Sequence, residues 1–150
     1  MSSFALTFQP SAAPSASRSA LASATCERAS LDLTLAGEQL AASTSAEGAP
    51  WLVRDLLAAA VSIAEGRAAK VLVPFHDTPW ELCLTAGDDV YLVSAYRTGP
   101  SPDVRVVDHP VSRADFVAQA RAVLGALGPL EPSLAAQLGT LVERLVASER

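Results

Sequence analysis

Residues 70–108 read KVLVPFHDTPWELCLTAGDDVYLVSAYRTGPSPDVRVVD, and this stretch decides the fold. It scans as four successive β-strands separated by turn residues. Val71, Val73 and Phe75 lie on one side of the first strand. His76-Asp77-Thr78-Pro79 makes a turn. Trp80 to Thr85 is the second strand. Ala86-Gly87-Asp88-Asp89 reads as a two-residue hairpin with Gly87 at the first central position. That turn sets Leu84 opposite Tyr91, Leu82 opposite Val93 and Trp80 opposite Ala95. These six share one face. Glu81, Cys83 and Thr85 share the other with Val90, Leu92 and Ser94. A longer turn, Thr98 to Pro102, leads into a fourth strand, Asp103 to Asp108. Neither face is solvent-like, so such a sheet needs covering twice.

The flanks supply the covers. Pro50 suits the first turn of a helix and Gly66 suits its stop. Trp51, Leu52, Val53, Leu56, Leu57, Val61 and Ile63 wrap most of its circumference, leaving Arg54, Asp55 and Ser62 as a narrow polar stripe. A helix of that kind is buried on more than one side. Toward the C-terminus, Ser112 is an N-cap with Asp115 three residues on. Phe116, Ala120, Val123 and Leu127 recur at helical spacing. Gly128-Pro129 interrupts, and Pro132 starts a second helix carrying Leu134, Leu138, Leu141 and Leu145. The short connection predicts an antiparallel helical hairpin. Toward the N-terminus, Ser3 to Gln9 alternates as a strand through Phe4, Leu6 and Phe8. Ser30 to Leu35 alternates again, and Gly37 turns the chain. Residues 10–24 are rich in Ser, Ala and Pro and read as a flexible connector, and 42–49 as a small-residue loop.

Composition narrows the function. The chain has 150 residues, half of them hydrophobic, which is enough for one domain with its own core. The net charge is −5, and ten of the eleven basic residues are scattered arginines. Neither a nucleic-acid footprint nor attraction to an anionic membrane follows from that. No signal peptide and no membrane-length apolar run is visible. Cys26 and Cys83 read as free thiols in a reducing cytosol, so a cytoplasmic location is expected.

Chemistry is sparse. There is no GxSxG, GxxxxGK[ST], HExxH or GxGxxG motif. His76-Asp77 and Asp108-His109 suggest a metal or acid–base pair. In a four-stranded meander, however, they fall at opposite margins, in turn-like surroundings. Cys83 has the residue type of a nucleophile but sits in mid-strand, where a free thiol packs as a small hydrophobe. Glu81 with Asp88 and Asp89 lacks the ligand spacing of a calcium loop. Arg97 and Arg105 are placed to neighbour each other across the third hairpin, where they would either hold an anion or pair with Asp103, Glu81 or solvent.

The expected fold is therefore α+β: one domain, a largely antiparallel sheet comprising a four-stranded meander plus N-terminal strands, one buried helix and a C-terminal helical hairpin. The expected function is non-enzymatic partner binding, as a chaperone, an immunity-type inhibitor or a subunit of a larger assembly. The partner is another protein or a second copy, not nucleic acid or membrane, and no cofactor or metal is expected. Val90, Leu92, Tyr96 and Cys83 are the candidate binding residues. The alternative is a small enzyme or ligand-binding protein with a site near His76, Cys83, Arg97 and His109.

Overall fold

The computed structural model describes residues 4–9, 30–42, 48–75, 78–127 and 129–149. The expected connector at 10–24, Cys26, and His76 with Asp77 lie outside them. The architecture is α+β, with two antiparallel sheets and three helices. The first sheet comprises β1 (Phe4–Gln9), β2 (Ser30–Leu35) and β3 (Glu38–Ala42), in that order. Ala36 and Gly37, both at positive φ, turn β2 into β3. β3 was not expected. Its sequence, EQLAA, has no β-branched or aromatic residue.

α1 (Ala49–Ala64) follows. It opens on Pro50 and closes at Gly66, whose φ is +72°. Gly66 N–H donates to the Ile63 carbonyl and Arg67 N–H to that of Ser62, the paired bonds of a Schellman stop. Leu52, Val53, Leu56, Leu57, Ala60, Val61 and Ile63 are buried, so the helix is enclosed on several sides. Trp51 departs from expectation. It is 41% exposed, and the Arg54 guanidinium stacks over its ring at 4.7 Å.

The meander is present as β4 (Lys70–Pro74), β5 (Trp80–Ala86), β6 (Val90–Arg97) and β7 (Asp103–Ser112), paired in chain order. Two details differ from the reading above. Leu84 pairs with Val93, Leu82 with Ala95 and Trp80 with Arg97, a shift of two positions. A shift of two preserves the faces. β7 also runs on to Ser112, so His109 and Pro110 lie inside a strand and not in a turn.

α2 (Arg113–Ala126) begins directly after β7. The Ser112 hydroxyl accepts the Asp115 N–H at 3.1 Å, as the capping signature implied. α3 (Pro132–Ser148) is capped by the Glu131 carboxylate, which accepts from the Ser133 and Leu134 amides. α3 packs chiefly against α1, more than against α2. Arg144 of α3 clamps Glu65 with two bonds of 2.9 and 2.6 Å.

One core results. Leu82, Leu84, Tyr91, Val93, Ala95, Val106 and Val111 make the inner face of the meander and meet α1 and α2. Tyr91 donates to the Ala60 carbonyl of α1 at 3.2 Å. Phe116 of α2 stands edge-on to Tyr91 and stacks on Phe4 of β1, with centroids 5.2 and 5.4 Å apart. The first sheet therefore joins the core beside α2, on the same side of the meander as the helices. Trp80 packs at the margin of the core and is only partly buried.

Candidate interaction surface

Alternation along the strands sends Val90, Leu92, Ser94 and Tyr96 of β6 to the outer face of the meander, with Glu81, Cys83 and Thr85 of β5. All four candidate binding residues, Val90, Leu92, Tyr96 and Cys83, thus share one surface. The register lays out its rows. Lys70, Thr85, Leu92 and Pro110 lie abreast. Leu72, Cys83 and Ser94 form the next row, and Pro74, Glu81, Tyr96 and Val104 the third. Leu72 and Val104 are 51% and 63% exposed. Val90, Leu92 and Tyr96 are half-buried. Sequence reasoning missed Leu72 and Val104, which come from the two marginal strands.

Cys83 is buried yet stands outside the main core. Its Sγ lies 3.7 Å from the Thr85 hydroxyl. Tyr96 donates a short hydrogen bond to the Glu81 carboxylate. Burial and that bond push the Tyr96 phenol up to about 12. The pair places one hydrogen-bonded polar contact between Pro74 and Val104.

The alternative site does not assemble around its described members. His109 pairs with Val93, so it lies on the inner-face side, whereas Cys83 faces outward. Arg97 donates to the Ser101 carbonyl at 3.1 Å. Arg105 pairs with Asp103 at 2.7 Å. The two arginines are therefore each engaged, and His76 lies outside the described residues. Glu81 stands at the opposite end of the β5–β6 hairpin from Asp88 and Asp89. Among the described residues, no cluster of three His, Cys, Asp or Glu side chains is placed to hold a metal ion.

Two grooves flank α1. One, of about 570 Å³, runs between α1 and α3 past Ala58, Ala136 and Leu141, with Arg54 and Arg144 on its rim. Arg54 is bonded to Asp55 at 2.8 Å and Arg144 to Glu65, so neither guanidinium is free. The other, of about 360 Å³, lies between α1 and β4. Among the described residues no helix is long and apolar enough to cross a membrane. No protein family matches the chain, and no curated protein or solved structure shows significant similarity to it.

Proposed function

We propose that this is a non-enzymatic, cytoplasmic partner-binding protein that engages another protein, or a second copy of itself, through the outer face of the meander. The observation that supports this reading is one-sidedness. The buried apolar residues of the described helices and of the first sheet belong to the single core on the inner face. The outer face keeps Leu72 and Val104 exposed and Leu92 and Tyr96 half-buried, set among Cys83, Thr85, Ser94 and Glu81. Apolar patches of this kind on a folded domain mark interaction sites more often than bare surface. The half-buried Tyr96 adds an aromatic anchor with a polar tip, a residue type enriched where partners meet.

The test is association. Light scattering at micromolar concentration is expected to give a dimer, or a complex with a co-purifying protein. Leu92→Glu is expected to release it while the far-ultraviolet circular dichroism stays unchanged. A wild type that is a clean monomer with nothing bound counts against the reading. If Leu92→Glu unfolds, the face is internal and the reading fails.

A further inference from the structure

β4 and β7 are the two margins of the meander, and they differ in what their backbones offer. In the β4–β5 ladder, Phe75 N–H donates to the Trp80 carbonyl at 2.9 Å, and Ala86 N–H to that of Ala69 at 2.8 Å. With Val71 opposite Leu84 and Val73 opposite Leu82, residues 69, 71, 73 and 75 turn their amide groups toward β5. Lys70, Leu72 and Pro74 therefore turn theirs away. Lys70 and Leu72 each present an N–H and a C=O at the free margin, and Pro74 presents a C=O alone. No described residue hydrogen-bonds to them.

The β7 margin is blunted. The ladder places Pro110, which lacks an N–H, on the free side of the strand. Asp108 sits at φ +47°, its N–H is taken by the Ser94 hydroxyl at 2.9 Å, and the register slips between Val93 and Tyr96. A partner strand finds no regular ladder there. β4 is unbulged across its five residues, and the groove of about 360 Å³ runs beside it, lined by Ala58, Ala59 and Ser62 of α1. Lys70 is exposed, is the only lysine in the sequence, and has no carboxylate partner among the described residues.

We propose that β4 accepts an extended segment of a partner protein as a fifth strand of the sheet. The segment carries a carboxylate opposite Lys70 and apolar side chains opposite Val71 and Leu72. Main-chain bonds to Lys70 and Leu72 hold it, and alternation sets its side chains. The residue opposite Val71 turns inward to the groove beside Ala58 and Ala59. Its two neighbours lie on the outer side, one against Lys70 and one against Leu72. Charge favours this occupant over a second copy. A second β4 strand, KVLVP, has no carboxylate to set against Lys70, and a two-fold axis puts both ammonium groups on the same face. The margin adjoins the outer face and shares Leu72 with it, but the proposal rests on the free main-chain groups of Lys70 and Leu72 and not on that face being an interface.

The probe is the blocked peptide acetyl-Thr-Leu-Val-Glu-Thr-Thr-amide, titrated to millimolar concentration into isotopically labelled full-length protein. In the antiparallel register its Leu and Glu face Leu72 and Lys70. The Lys70 and Leu72 amide resonances are expected to shift and to exchange more slowly with solvent, while Val71 and Val73 change little. N-methylation at the peptide's Glu is expected to abolish binding, and N-methylation at its Val, whose N–H points away from β4, to preserve it. Lys70→Glu is expected to weaken the peptide severalfold, and a peptide with Lys in place of Glu to recover the loss. Absence of shifts at Lys70 and Leu72, or equal binding of the two N-methyl peptides, overturns the proposal. So does concentration-dependent protection of those amides without peptide, which assigns the margin to a second copy.

Discussion

Tyr91 and Tyr96 are the only two tyrosines in the chain, and neither holds the ordinary phenol value near 10. Burial pushes Tyr91 up to about 12, against the opposing pull of the Arg113 guanidinium 5.8 Å over its ring. Tyr96 reaches about 12 through burial first and its bond to Glu81 second. A phenol whose pKa rises on folding keeps its proton where the unfolded chain loses one. The stability it supports is therefore complete below pH 10 and falls between about pH 10 and 12. Spectroscopic titration of the phenolates is expected to show no step near pH 10 and both steps near pH 12. Glu81→Ala is expected to bring Tyr96 only part of the way back, because burial is the larger cause and remains. A one-tyrosine step near pH 10 in the wild type would sink this account. The tryptophans show what the sequence leaves open at this scale. Periodicity places both on apolar faces, yet Trp51 is 41% exposed under Arg54 and Trp80 lies at the margin of the core. Periodicity assigns a face but not the depth at its edge. Trp80→Ala is expected to cost less than the ~3–5 kcal/mol of a fully enclosed tryptophan, as urea denaturation would measure.

Elements were legible where their signals were local. Ser112, Pro50, Gly66 and Pro132 all mark true helix ends. The β5–β6 hairpin shows a signal read for the wrong reason. Gly87 suggested a turn needing glycine at its first central position. In the structure Asp88 and Asp89 are central, and Asp89 takes the positive φ of 59°. Gly87 is there for space: a Cβ would stand 2.8 Å from Val90 Cγ2. The faces survived because the slip was even, so the candidate surface was legible although its cross-strand partners were not. Pro110 misled differently. It reads as a strand terminator, yet the free side of an edge strand tolerates a residue without an N–H. Two substitutions separate the capping contributions. Ser112→Ala is expected to cost about 0.5–2 kcal/mol by loss of the hydroxyl acceptor. Gly66→Ala is expected to cost about 1–2 kcal/mol, because its conformation is left-handed and the surrounding space is open. If Gly66→Ala proved neutral in urea denaturation, the Schellman stop would not be the cause of the helix end.

At the scale of the whole molecule, three aromatic rings join parts that the chain keeps far apart. Phe4, Phe116 and Tyr91 connect β1, α2 and β6. No pattern within either sheet announces this contact, which is why the sequence predicted N-terminal strands but not where they dock. Phe116 is 1% exposed, and Phe116→Ala is expected to cost about 3–5 kcal/mol. Because both sheets share that core, unfolding by urea is expected as one transition, with circular dichroism and tryptophan fluorescence coinciding. Two separated transitions would show that the first sheet melts by itself. The stack also imposes a sequence of events during synthesis. β1 leaves the ribosome before the meander, but the ring it stacks upon arrives with α2, after the whole meander has been made. Until then its apolar side lacks the surface it rests on in the finished fold, while the meander, built from neighbours, pairs as it emerges. β1 is thus made early and seated late, and the window in which a nascent chain is open to misassembly lasts until α2 has cleared the exit.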